Sequence, residues 1–359
     1  MKKKKELTPK KWGICAITVL AVMVVGMGLL TYIVDPYFHY HAPLSEISYR
    51  LYEQRYINDG ISRQFEYDAV ITGNSLSENF ETTKLDELFG TKSIKLPYSG
   101  AGYKELWSAL DRTLSRNPKV KRVFVIVDTE DMPRDKDYMR YSDYPEYLYD
   151  DSVWNDAMYL WNKDIFYRGT FYNLLMTISG KESTTFDEYS ANDGETGADV
   201  VLPLIGEIPD KEDAPWWGYN HLDAQMVTEN INQNVISVTE KYPDTEFHLI
   251  YAAPSIARWG KYYIWGDRKW RVESCNTATE LLLTQDNIHL YSFQDDFELV
   301  CNLDNYRDTI HFTTEVSDYM LEQIALGNRR ITADNYEEYF ETIREFYYEY
   351  DYTLLRVDE

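Results

Sequence analysis

A serine, a histidine and an aspartate in this chain have types and spacing suited to nucleophilic acyl chemistry. Ser75 stands in "ITGNSLS" (71–77), directly after an apolar run, and Asp308 and His311 stand in "LDNYRDTIHFT" (303–313) near the other end. A hydroxyl attacks poorly unless a base takes its proton and a third group orients that base. With two residues between them on a turn running into a helix, Asp308 can reach one ring nitrogen of His311 while the other nitrogen faces a site. Each fragment alone has a plainer use: Ser75 could cap the helix beginning in "LSENFETTKLDELF", and the Asp–His pair could be a capped turn. Their joint placement, one after the first strand and one before the last helix of the same domain, favours catalysis.

The elements that must position them alternate. Short apolar runs at 67–72, 93–96, 122–127 ("RVFVIV"), 247–252 and 289–292 have the character of buried parallel strands. Between them Tyr103, Leu106, Trp107, Leu110 and Leu114 recur at helical spacing, and Val227, Ile231, Val235, Ile236 and Val238 suggest another amphipathic helix. Repeated strand–helix–strand units imply an α/β fold, a three-layer α/β/α sandwich around a five-stranded parallel sheet with sites beyond the carboxyl ends of its strands. The segment 133–219 breaks the alternation. It is rich in Tyr, Trp and Asp, includes a polar piece at 182–199 expected to be flexible, and is read as a largely helical insertion after the third strand. The expected organisation is a basic tail (1–11), a membrane span (12–34), a membrane-proximal linker (35–66), an α/β domain (67–327) carrying the insertion, and a helical extension (328–359).

The span rests on composition. "MKKKKELTPKKW" carries six lysines and one glutamate, and the 23 residues from Trp12 to Val34 carry no charge. That length crosses a bilayer as a helix and exceeds the apolar core of a cleaved signal. An uncleaved anchor is therefore expected, single-pass in the cell membrane, with the lysines cytoplasmic and the rest of the chain outside. Setting the leader aside leaves 30 basic against 59 acidic residues, a balance of −29. Such a surface makes nucleic acid a poor partner. Cys275 and Cys301 are the only cysteines beyond the span; they could form one disulfide, and no Cys/His spacing resembles a metal site. Neither a metal nor a cofactor is implied.

With "GNSL" at 73–76 and "DTIH" at 308–311, the chain resembles the SGNH/GDSL hydrolase superfamily. The resemblance implies Ser75 as nucleophile, His311 as general base and acid, and Asp308 as its orienting group. It also implies an oxyanion hole from the backbone N–H of Ser75 and of Gly100 in "LPYSGAGYKE", with Gly102 the weaker choice. The superfamily's third block supplies an asparagine donor; here "VIVDTEDM" has none, an ionised Asp128 cannot donate, and Thr129 is the remaining candidate. The architecture, an N-terminal anchor before an exported domain, is similar to the branch containing D-alanyl-lipoteichoic acid transfer proteins and alginate-type O-acetyltransferases. That similarity implies acyl transfer onto or off cell-surface polymers, with a polytopic membrane O-acyltransferase as an expected partner besides the bilayer and the acyl-ester substrate.

Asn74, Gly102 and the paired Trp216 and Trp217 of "APWWGYN" are further candidate substrate contacts, the tryptophans because exposed indoles stack on sugar rings. Glu130 and Asp131 invite a glycosidase reading, but adjacent residues at one strand end seldom face each other. The rival from another class is a catalytically inactive protein of this fold that binds glycan or docks a membrane acyltransferase.

Overall fold

The computed structural model describes residues 8–141, 144–150 and 152–357. They fall into two compact units, one of Met1–Phe65 with Tyr144–Thr184 and one of Glu66–Asp143 with Thr185–Glu359. The segment expected as one insertion, 133–219, is thus divided, its middle belonging with the N-terminal residues. No sequence period announces that grouping, because it is made by side chains more than a hundred residues apart, such as Asn173, which accepts from the Arg50 N–H.

The first unit begins with α1 (Pro9–Val34), 26 residues with a mean hydropathy of 2.5 over its most apolar window. It is long and apolar enough to cross a membrane, a test that a signal sequence also passes. At its end Asp35 is buried in a left-handed conformation, and its carboxylate accepts the backbone N–H groups of His39, Tyr40 and His41 and the hydroxyl of Tyr159. A second helix, α2 (Gln54–Gln64), follows.

The second unit is a mixed α/β assembly on a six-stranded sheet of order β2-β1-β3-β4-β5-β6. Strands β1 (Ala69–Gly73), β2 (Ser93–Pro97), β3 (Arg122–Val127), β4 (Glu246–Tyr251) and β5 (Ile288–Ser292) are parallel. The first three are buried almost throughout, which is why they read as continuous apolar runs. The sheet has six strands and not five: β6 (Arg330–Ile331) pairs antiparallel with β5. Two residues carry no periodicity, so this edge strand is invisible in sequence. Helix α3 (Thr82–Phe89) packs with the helix Thr314–Ala325, while α4 (Tyr103–Arg116) belongs to the other group, with residues 221–241 and the helices Arg268–Leu282 and Tyr336–Glu349. Cys275 is buried in the helix Arg268–Leu282 and Cys301 is exposed; both are free thiols, so the disulfide considered from sequence is not formed.

Register sets the site. Gly73 lies opposite Pro97 and Ile126, so β1, β2 and β3 end together and their following loops share the carboxyl edge of the sheet.

Candidate active site

Ser75 enters this edge on a tight turn. The chain leaving β1 passes so close to β3 that a Cβ on Gly73 would stand 2.8 Å from the Ile126 carbonyl oxygen, so only glycine fits there. Residues Ser75–Ser77 then form one 3-10 turn. Its cap is Asn74, whose Oδ1 accepts the Leu76 N–H at 3.0 Å, so the capping role that Ser75 might have had is filled by its neighbour.

The Ser75 hydroxyl is left for other work, and Oγ lies 2.7 Å from His311 Nε2. The other ring nitrogen, Nδ1, is 2.6 Å from Asp308 Oδ2. Asp308 Oδ1 accepts the N–H groups of Ile310 and His311, each at 2.8 Å, so the loop itself fixes the carboxylate. Burial would raise the Asp308 pKa, but the hydrogen bonds from the His311 ring and the two amides outweigh it and hold the carboxyl at about 2. Asp308 is therefore ionised at any working pH and selects the tautomer with the proton on Nδ1, leaving Nε2 as acceptor for the Ser75 hydroxyl. A bridge between Tyr306 and Phe312 closes this loop, and the buried Tyr306 hydroxyl ties it to the Ala253 carbonyl.

The three side chains open on a cavity of about 590 Å³, whose wall includes Glu78, Ser99, Asn192, Glu195 and Arg307. Gly100 sits beside Ser99 in the left-handed position of a turn closed by the Ala101 N–H on the Tyr98 carbonyl. Among the described residues no acceptor is recorded for the backbone N–H of Ser75 or of Gly100. Thr129, the third oxyanion candidate, is not part of this wall, and its hydroxyl accepts from Gln294 at 3.3 Å.

At the end of β3 the carboxylates are internally engaged. Asp128 Oδ2 accepts from Asn74 Nδ2 at 2.7 Å and Oδ1 from the Glu130 N–H at 2.9 Å. Burial and the charges of Glu130 and Asp131 raise the Asp128 carboxyl to about 7 despite these donors. Glu130 is clamped by Arg258 and accepts the Tyr262 hydroxyl. It faces Arg258 rather than Asp131, which removes the glycosidase reading. Both polar atoms of Asn74 are used in the turn and in Asp128, making it a positioning residue rather than a substrate contact. Gly102 packs closely against Tyr138: a Cβ there would meet its ring at 3.1 Å.

Trp216 lines a separate cavity of about 610 Å³ with Tyr263, Arg268, Tyr348 and Tyr352. The Trp217 backbone N–H donates to the Gly266 carbonyl at 2.7 Å, and its indole donates to the Trp265 carbonyl. Neither tryptophan lines the cavity at Ser75.

Sequence reasoning missed the wall at 192–195. Asn79 holds that stretch from both sides, donating to the Asn192 carbonyl and accepting its N–H, and Asp193 caps the helix Thr314–Ala325 through Thr314. The polar piece expected to be flexible is thus tied down by partners on distant parts of the chain. The buried Lys95 ends on two carbonyls, of Glu78 just past the nucleophile turn and of Asp187, and burial lowers its pKa to about 8. Ser99, adjacent to Gly100, and Arg307, adjacent to Asp308, were the wall residues with a local signal, since each stands beside a candidate in a quoted motif.

No family model and no curated protein sequence matches the chain. Among solved structures, a protein from Streptococcus pneumonia described provisionally as a platelet activating factor matches at a TM-score of 0.37 and 14% identity, over 76% of this chain and 89% of that one. A likeness at that level bears on neither mechanism nor substrate.

Proposed function

We propose that this protein is a membrane-anchored serine esterase or O-acyltransferase of SGNH type, its second unit a three-layer α/β/α sandwich. The observation that carries the reading is the continuous hydrogen-bonded series Ser75 Oγ, His311, Asp308, opening on a cavity. Ser75 attacks an ester carbonyl while His311 Nε2 takes the hydroxyl proton. The tetrahedral oxyanion is met by the N–H groups of Ser75 and Gly100, donors that in such sites contribute about 3 kcal/mol each. His311 returns the proton to the leaving oxygen, and the acyl-enzyme passes its acyl group to water or to a polymer hydroxyl.

Anchoring by α1, rather than its removal as a signal, is supported by the packing of its last turns. Gly28, Thr31 and Val34 are buried against the first unit, which would be stripped of a wall if the helix were cleaved. The leading lysines favour a cytoplasmic N-terminus, with cell-surface polymers as substrates and a polytopic O-acyltransferase as partner.

A fluorophosphonate probe should add once to the full-length protein, with the mass increment on the peptide containing Ser75. A folded protein that takes up no probe, or takes it up elsewhere, sinks the reading. Asn74→Ala should lower kcat on an activated ester about 10- to 100-fold with little change in KM, because it loosens the nucleophile turn without touching substrate. A change in KM alone would return Asn74 to the substrate contacts. The aromatic cavity at Trp216 keeps a second reading in view, an inactive glycan-binding scaffold, which predicts that Ser75→Ala leaves the cellular phenotype intact while Trp216→Ala does not.

A further inference from the structure

Within the first unit, residues 163–178 are helical throughout, with Phe166–Phe171 wound as π-helix. A surface helix in water turns its apolar stripe inward and its polar residues outward. This helix is arranged the other way. Tyr167, Phe171, Leu175 and Ile178, spaced at i, i+4, i+8 and i+11, are 66, 46, 47 and 83% exposed. The inward side is largely small or polar, with Gly169, Thr170 and Asn173 buried beside Ile165 and Met176. The inner side uses close approach and hydrogen bonding. A Cβ on Gly169 would stand 2.8 Å from Pro36, Thr170 Oγ1 donates to Thr31 Oγ1 at 3.3 Å, and Asn173 accepts from the Arg50 N–H. Small and hydroxyl residues at the contact with apolar side chains outside is how helices pack when their surroundings are lipid.

Depth is an independent observation. Counted from Trp12, the first residue after the last lysine of the leader, about 20 residues at a rise of about 1.5 Å fill a hydrocarbon core of about 30 Å, which puts its far boundary near Thr31. The Trp161 indole donates to the Val24 carbonyl at 2.8 Å, and its ring lies where a Cβ on Gly28 would meet it at 2.8 Å. Val24 and Gly28 lie roughly 5–10 Å inside that boundary at the same rise, the depth to which an interfacial helix sinks its apolar face. Thr170, against Thr31, is level with the boundary itself. The exposed charges on this helix are Lys163, Asp164 and Arg168; Arg168 pairs with Glu53 at 3.5 Å, and the stems of the two basic residues are long enough to carry their charges back to the headgroups.

We infer that residues 157–178 form a second membrane-bound element, lying in the lipid interface beside the C-terminal end of α1 with Met158, Trp161, Tyr167, Phe171, Leu175 and Ile178 against acyl chains. The occupant of this face is lipid because at Trp161 and Thr170 it stands level with the last turns of α1, whose own apolar side chains are exposed. The inference requires that α1 stay in the chain, but it is independent of the chemistry at Ser75. The first unit is then held by two elements, one crossing the bilayer and one lying in it.

The test uses full-length protein with Cys15→Ser and Cys301→Ser, leaving only the buried Cys275, reconstituted in phosphatidylcholine–phosphatidylglycerol liposomes. A nitroxide is placed through Phe171→Cys or Leu175→Cys, with Met23→Cys on α1 as the lipid reference and Glu182→Cys as the aqueous one. The ratio of collisions with oxygen to collisions with a water-soluble nickel chelate should be several-fold higher at 171 and 175 than at 182, approaching that at 23. Ratios equal to those at 182 overturn the inference, and so does exclusion of both reagents, which would mean that protein covers the face. In native membranes a photo-crosslinking phenylalanine analogue at 171 should yield lipid adducts. A discrete protein adduct instead would assign the face to a membrane protein partner and overturn the assignment to lipid.

Discussion

Ser75→Ala and His311→Ala should each lower ester turnover by about 10⁴- to 10⁶-fold, and the double variant should be no slower than the worse single one. Non-additivity is the informative part, because base and nucleophile act as a unit: removing either leaves the other with no proton to exchange. Ser75→Ala should not move the thermal midpoint much, since Ser75 is only half-buried and its turn is held by Asn74, whereas His311→Ala should lower it by removing the ring that hydrogen-bonds the Asp308 carboxylate. Asp308→Asn should cost about 10⁴-fold, because its amide would present N–H to Nδ1 and stabilise the opposite tautomer. Its effect on stability has a definite sign. A carboxyl held at about 2, below the ordinary 3.8, adds stability that is present above pH 3.8 and lost as the pH falls through 2. Melting curves of wild type and Asp308→Asn should therefore converge at strongly acidic pH and separate above it. Additive losses in the Ser75/His311 double variant would mean that the two side chains do not work together, whatever their 2.7 Å separation.

Arg258→Ala is the substitution expected to cost most in stability, about 3–5 kcal/mol, or a fall of about 6–20 °C in thermal midpoint for a unit of this size. The Arg258 guanidinium meets Glu130 through both Nε and a terminal nitrogen. Both side chains are largely withdrawn from water, 15 and 19% exposed. Truncating the arginine leaves the Glu130 carboxylate buried with the Tyr262 hydroxyl, and with Arg271 directed to the backbone carbonyl of Glu130 rather than to the carboxylate. In the native protein burial raises the Glu130 pKa, but the hydrogen bonds and charge of Arg258 prevail and hold it below the ordinary value, so its contribution is present above pH 4.5 and lost as the pH falls through the lowered pKa. Without Arg258 only the Tyr262 hydroxyl and the charge of Arg271 oppose burial, so the folded pKa rises and the stability that the ionised Glu130 contributed above pH 4.5 is lost. The deficit of Arg258→Ala should thus be largest at neutral pH and shrink in acid, and Glu130→Gln combined with Arg258→Met should recover much of it. A deficit independent of pH, or no recovery in the double variant, would show that the ion pair is not its source. Turnover should fall with stability, because the same pair fixes the turn that presents Asp128 to Asn74.

The amino-acid sequence by itself determined those features whose physical signal is local. Buried parallel strands are runs of apolar residues, so β1 to β5 could be placed within a residue or two. The order of Ser75 after β1 and the Asp308–His311 pair before the last helix of the sheet then implied where they would meet, because parallel strands end on one edge. A 23-residue uncharged run is likewise its own evidence for a membrane-crossing length. What depended on tertiary contact was not legible. Strand β6 is too short to carry a period. Asn74 and Asp128 become partners only because Gly73 and Ile126 are in register, and Glu130 finds its counterion far along the chain in Arg258. The stretch 192–195, polar and featureless when read along the chain, becomes a cavity wall because Asn79 and Thr314 hold it. Above all, a helix of alternating apolar and polar residues does not say which side will be buried: that 163–178 turns Gly169 and Thr170 inward and Phe171 and Leu175 outward was decided by contacts distant in sequence, Pro36 leaving no room for a Cβ at Gly169 and the Thr31 hydroxyl accepting from Thr170.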